Sequence, residues 1–279
     1  MSKGWRFLGN EREYVDEVLT SGFGASESGS MNERLEKKFA DLHKKKFAIS
    51  ANSGTSTLHM ALNAFGVRPG DEVIIPALTV AMPGFAVWQC GAIPVFADVL
   101  EDTFLMNPDD VRKKINSKTK AIMPVHMYGN MCNMDSIMKL ANEHKLFVLE
   151  DCAESLYASN DKDQKAGTIG HVGSWSFENS KHLSTGDGGI VATNDEELAT
   201  KMRQFGGVGF KNITAKTGKV RISRDQFQDP KYERHNMFAY NYRLPELCAA
   251  IGLAQCERLS YFVELRELMG QSYLNTIND

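Results

Sequence analysis

Lys181 stands in a run, residues 174–189 (SWSFENSKHLSTGDGG), where a strand-like pattern gives way to hydroxyls and then to a glycine-rich turn. A lysine at a strand-to-loop junction can be held still, partly withdrawn from water and aimed into a cleft. Desolvation favours the neutral amine, because the ammonium loses more on leaving water. The neutral amine is the form that condenses with a carbonyl. One lysine alone says little, since most lysines are solvated surface charges. Other segments give it company.

Residues 53–56 (SGTS) lie between a strand pattern and a helical one. The unsatisfied N–H groups and dipole of a helix start favour an anion there, with Gly54 allowing close approach and Thr55 adding a hydroxyl. An ordinary N-cap is the plain alternative. Residues 147–154 (FVLEDCAE) put an acidic pair at the end of an apolar strand. Asp151 is costly there unless it meets a cation or a donor. A protonated pyridine nitrogen is such a partner; an N-cap or a metal ligand are the alternatives, and the nearby His and Cys lack metal-ligand spacing. His126 and Tyr128 end another strand pattern, where His126 either orients a cofactor or substrate or is a core histidine. Asn241 and Arg243, in the run 237–247 (MFAYNYRLPEL), read as contacts for a phosphate or carboxylate. An amine-reactive aldehyde, a pyridine nitrogen and a phosphate together describe pyridoxal 5'-phosphate.

The elements that must hold these residues alternate. Helical spacing covers 11–20 and 31–42, with a Gly/Ser loop at 21–30 between them. Short apolar runs at 47–50, 72–76, 93–97, 121–125, 146–149 and 189–193 are separated by helix-length segments, notably 134–145 and 196–204. That alternation predicts an α/β fold with a mostly parallel central sheet and functional residues in loops at the strand C-terminal ends. Residues 206–237 break the pattern with Lys211, Lys216, Lys219, Arg221 and Arg224. They read as a solvated loop or as a flap over an anionic substrate. A last helix is expected from near Leu244 to beyond Ser260.

With 279 residues, 42% hydrophobic and 24% charged, the chain can bury a sizeable core. A formal charge of −3 gives no reason to expect nucleic-acid binding. Five scattered cysteines without a CxxC pair fit a reducing cytoplasm. No signal-peptide pattern or membrane-length apolar stretch is present. The expectation is a soluble cytoplasmic protein.

Taken in order, the segments 53–55 (SGT), 70–76 (GDEVIIP), 91–98 (GAIPVFAD), 119–122 (TKAI), 150–154 (EDCAE), 176–181 (SFENSK) and 241–243 (NYR) resemble the DegT/DnrJ/EryC1/StrS family of sugar aminotransferases over nearly the whole chain. The resemblance implies a fold-type-I aminotransferase, a homodimer with each active site at the subunit interface. It implies a cofactor-binding large domain over 1–243, then a linking helix and the start of a small C-terminal domain over 244–279, that domain being largely absent. Lys181 matches the lysine that forms an imine with pyridoxal phosphate and shuttles protons, and Asp151 matches the pyridinium partner. Glu154 falls where the family often has Gln, near the ring hydroxyl. Gly54, Thr55 and Ser176 match the phosphate cradle, and Asn241 a phosphate contact from the partner subunit. The implied reaction moves an amino group from an amino acid, usually glutamate, to a nucleotide-linked keto-sugar. Related dehydratases carry histidine in place of the lysine. Val80 departs from the pattern, standing after Thr79 where many relatives place an aromatic that stacks on the pyridine. A truncated, catalytically silent homologue with a regulatory or structural role is the other reading.

Overall fold

The computed structural model describes residues 6–23, 29–218 and 222–278. Part of the Gly/Ser loop at 21–30, and both Lys219 and Arg221, lie outside the described residues. Seven strands make one sheet: β1 (Phe47–Ala51), β2 (Glu72–Pro76), β3 (Ile93–Ala97), β4 (Thr119–Ile122), β5 (Phe147–Asp151), β6 (Val172–Ser176) and β7 (Gly189–Thr193). Their order is β1-β7-β6-β5-β4-β2-β3. The pairs from β6 through β5, β4 and β2 to β3 are parallel, and β7 runs antiparallel to both its neighbours. The expected mostly parallel α/β sheet is present.

The helices are α1 (Glu11–Thr20), α2 (Met31–Leu42), α3 (Gly54–Ala64), α4 (Met82–Gln89), α5 (Pro108–Lys114), α6 (Met134–His144), α7 (Glu196–Gly206), α8 (Arg224–Gln228), α9 (Glu246–Glu257) and α10 (Leu259–Asn278). Their starts are written locally. Ser30 and Glu33 close a capping box on α2, Asn133 caps α6, and Asp195 accepts two backbone N–H groups at the start of α7.

Strand alternation divides the core between two faces. On one face Leu149, Val172 and Val191 pack with α3, α4 and α7. On the other, Val148 and Ile122 pack with α5 and α6, and Ile190 and Trp175 with α2 and α9. Phe39, Trp175 and Phe177 are fully buried, each contributing roughly 1.5–3 kcal/mol of transfer free energy.

Two expectations shift. The run at 121–125 pairs earlier, as Thr119–Ile122, because Pro124 has no N–H for the ladder; Val125 keeps only an isolated bridge to Asp151. The late helix breaks at Arg258 into α9 and α10. The division at 243/244 falls just before α9, yet Ala249, Ala250, Leu253 and Cys256 share a buried cluster with Phe39 and Trp175. α9 is therefore packed into the same layer as the sheet's covering helices. In the basic stretch, Lys211 lies over the Tyr232 ring at 4.6 Å, Lys216 pairs with Glu196 at 3.5 Å and Arg224 opens α8.

Candidate active site

The loops that leave β1, β5 and β6 gather the predicted residues. After β6 the chain turns through Glu178 to Lys181, closed by the Lys181 N–H on the Glu178 carbonyl at 3.0 Å. Buried Phe177 anchors the base of this loop: its N–H donates to Gly188 and its carbonyl accepts from Thr185. Ser184 donates its N–H to the buried Gln255 side chain of α9 at 2.9 Å. Arg6 donates to the carbonyls of Asn179 and Lys181, and Arg266 of α10 reaches Ser180 at 3.4 Å. The turn carrying Lys181 is thus held from both ends of the chain. Burial, and then Arg266, Arg6 and Lys181, push the adjacent His182 down to about 4, so its ring is neutral at physiological pH.

Asp151 ends β5, beside β6 in the sheet, and is 2% exposed. Its Oδ1 accepts only the Ala153 N–H, at 3.0 Å. Burial pushes this carboxyl up to about 6, against the lowering pull of the Ala153 N–H and the field of His126 and Lys181. The folded chain therefore takes up a proton there more readily than the unfolded chain. On this account stability falls as pH rises from about 4 to about 6, and a cation set against Asp151 offsets that loss.

Gly54 opens α3 with Ser53 as its cap, the Ser53 hydroxyl accepting from Ser56. The Thr57 hydroxyl bonds that of Ser174 at 2.7 Å, tying the first turn to β6. Among the described residues no acceptor faces the N–H of Gly54 or Thr55, as a helix start that binds an anion requires. Gly54 is pressed against Ser176: a Cβ there would lie 2.9 Å from Ser176 Cβ. Gly54→Ala is expected to push the helix start from β6 and weaken phosphate-dependent cofactor binding about tenfold, roughly 1.4 kcal/mol, in a fluorescence titration with pyridoxal phosphate.

Glu154 places Oε1 3.7 Å from Lys181 Nζ, and its Oε2 accepts the Tyr128 N–H at 3.4 Å. Tyr128 occupies left-handed backbone, φ 57°, with its ring exposed. His126 takes the core alternative: it is fully buried and both ring nitrogens are engaged. Nδ1 accepts the Cys132 N–H at 3.1 Å, which leaves the proton on Nε2 facing Glu150 Oε2 at 3.0 Å. Glu150 also accepts N–H groups from Gly167, Ile169 and Gly170. Burial alone would raise its carboxyl, but His126 and the N–H groups of Gly170 and Gly167 outweigh that and hold it below the usual range. His126, Glu150 and Cys152 cluster closely enough for a metal, yet the His and Glu ligand atoms already serve these hydrogen bonds.

Asn241 and Arg243 are exposed and line a cavity of about 400 Å³ with Glu36, Ser50 and Arg203. That lining includes none of Gly54, Asp151, Glu154, Ser176 or Lys181. The link between the two places is Tyr242, whose carbonyl accepts the Asn52 N–H at 2.8 Å. Thr79 has a buried hydroxyl without a partner among the described residues. Its signal was the loop after β2, a strand end like the others.

The sequence profile of the DegT/DnrJ/EryC1/StrS aminotransferase family matches residues 8–279. The chain belongs to that family. It is 38% identical to a GDP-perosamine synthase of Escherichia coli O157:H7, over 97% of this chain and 69% of that protein. Among solved structures it resembles an aminotransferase from Psychrobacter cryohalolentis, at 36% identity and a TM-score of 0.79, covering 90% of this chain and 62% of that one. It also resembles ntda from Bacillus subtilis, solved with bound cofactor PMP, at 31% identity and a TM-score of 0.77, covering 96% and 60%. This chain thus spans less than two thirds of each of those two solved chains. The family is pyridoxal-phosphate dependent, and the residues here fit that group. A buried carboxylate without a bonded cation suits a pyridinium, a free helix start tight against Ser176 suits a phosphate, and Lys181 suits an aldehyde.

Proposed function

We propose that this chain transfers an amino group from an amino acid, with glutamate first among donors, to a nucleotide-linked keto-sugar in amino-sugar or surface-polysaccharide synthesis. The likeness to a GDP-perosamine synthase makes a GDP-linked ketone the first acceptor to test. The observation that carries the reading is the proximity of buried Asp151, at the end of β5, to clamped Lys181, in the loop that follows the neighbouring parallel strand β6. Bound pyridoxal phosphate supplies an electron sink. Asp151 would face the pyridine nitrogen and favour its protonated form, and Gly54, Thr55 and Ser176 would hold the phosphate. Glu154 would stand near the ring hydroxyl. Lys181 would supply the amine that anchors the aldehyde and, once free, the base that moves the donor Cα proton. The donor leaves as its 2-oxo acid and the sugar ketone becomes an amine, so nitrogen and electrons balance over the two halves.

Tyr128 and Arg243 are placed in this reading on the substrate side, and Asn241 on the phosphate of a second copy. Support for pairing with a second copy comes from exposed Phe85, Trp88 and Phe96 on α4 and β3. No helix among the described residues is long and apolar enough to cross a membrane, and a cytoplasmic place, where nucleotide sugars are made, fits the reaction.

The test is the visible spectrum of protein loaded with pyridoxal phosphate, before and after glutamate, followed by borohydride reduction and peptide mapping. A pyridoxyl group on the Lys181 peptide, lost when glutamate is added first, is expected. A folded protein that never labels Lys181 would overturn the assignment in favour of the silent homologue.

A further inference from the structure

Glu154 divides its two oxygens. One faces the Lys181 amine at 3.7 Å and the other takes the Tyr128 N–H, with the Lys and Glu side chains 22% and 25% exposed. For the Tyr128 contact alone a carboxamide oxygen would serve equally, since only an acceptor is needed. For the amine it would not, because the charge would be gone. We propose that Glu154 is the counter-ion of Lys181 in its free, protonated form, a positioning residue that keeps the displaced amine at the reacting carbon. The inference rests on the reading of Lys181 given above and adds a task for the residue beyond contact with the ring hydroxyl.

Other charges face this amine. Asp151 lies behind it at the end of β5, and Glu178 and His182 share its turn. Arg6 and Arg266 grip the carbonyls of that turn. The Glu178 carboxylate accepts from the N–H and hydroxyl of Ser180, and Asp151 is assigned to the ring nitrogen. Among the described residues, Glu154 is the carboxylate within ion-pair distance of Lys181 Nζ.

The chemistry gives the pairing a measurable sign. For Lys181 to attach, the ammonium proton leaves to solvent, a C–N bond forms at the aldehyde carbon, and the carbonyl oxygen departs as water. A neighbouring carboxylate opposes that proton loss, and it favours the proton's return when the donor frees the lysine. At 3.7 Å it would hold the displaced amine, in its charged form, beside the reacting carbon.

Wild type, E154Q and E154D would be incubated with pyridoxal phosphate from about pH 6 to about pH 10, bracketing the amine's accessible range. Labelling of Lys181 would be quantified after borohydride reduction. In E154Q the midpoint should fall below that of wild type, with E154D returning most of the difference. Unchanged secondary structure by circular dichroism excludes misfolding. An E154Q midpoint equal to that of wild type overturns the counter-ion role while leaving the lysine assignment standing. Failure of wild type to label at any pH overturns the lysine assignment itself, and this proposal with it.

Discussion

Lys181→Ala is expected to fold normally, to bind pyridoxal phosphate without a covalent link, and to lose turnover by roughly 10³- to 10⁴-fold. The loss is large because the proposed mechanism gives one side chain two tasks, attaching the cofactor and moving the donor Cα proton. The lysine is partly exposed and sits on a turn held by main-chain bonds and by Arg6, so its removal leaves the fold intact. Phosphate binding at Gly54, Thr55 and Ser176 is untouched, which predicts a retained but weaker dissociation constant. Absorbance of the free aldehyde, absence of a borohydride-trapped peptide, and single-turnover kinetics with glutamate check the three parts separately. Near-normal turnover by this variant would be incompatible with the proposed mechanism.

Glu150→Ala is expected to show the largest stability loss, about 3–5 kcal/mol, the usual cost of leaving the partners of a buried carboxylate unpaired. At roughly 2–4 °C per kcal/mol in a chain of this size, the melting temperature should drop by roughly 10 °C. Glu150 is fully buried and takes the His126 ring N–H and the N–H groups of Gly167, Ile169 and Gly170. Without it these four donors face no acceptor, and the 167–170 loop loses its fastening beneath β5. Because the Glu150 carboxyl is held below the usual range, its stabilisation is present above the unfolded value and is lost as pH falls through the folded one. Thermal melts should therefore bring variant and wild type closer together in acid. A constant difference down to the lowest pH at which wild type folds would show that charge is not the cause.

Much of the site was legible because strand-end chemistry is local. Lys181 after β6, Asp151 at the end of β5 and Gly54 at the start of α3 each announce themselves by a few neighbours in sequence. The boundaries of β2, β3 and β7 were legible for the same reason, being short apolar runs between breakers. Glu150 was not. In the sequence it is half of an acidic pair beside Asp151, and only the alternation of β5 sends the two to opposite faces. Even then, its partners arrive from a loop some twenty residues later and from His126 on another strand end. His126 was ambiguous in the same way: a histidine's role depends on who takes its two nitrogens, and Cys132 and Glu150 are both set by packing.

The sequence by itself determined the α/β alternation and the family, and offered candidate residues for an aldehyde, a pyridinium and a phosphate, since period, capping and residue type are properties of adjacent positions. Tertiary structure decided which of the paired carboxylates is free and which is a fastening, and it set Glu154 beside Lys181. It also placed Asn241 and Arg243 in a cavity whose lining does not include the lysine. Those outcomes depend on which chain segments meet across the sheet, and buried hydrogen-bond partners are assigned by that meeting and not by distance along the chain.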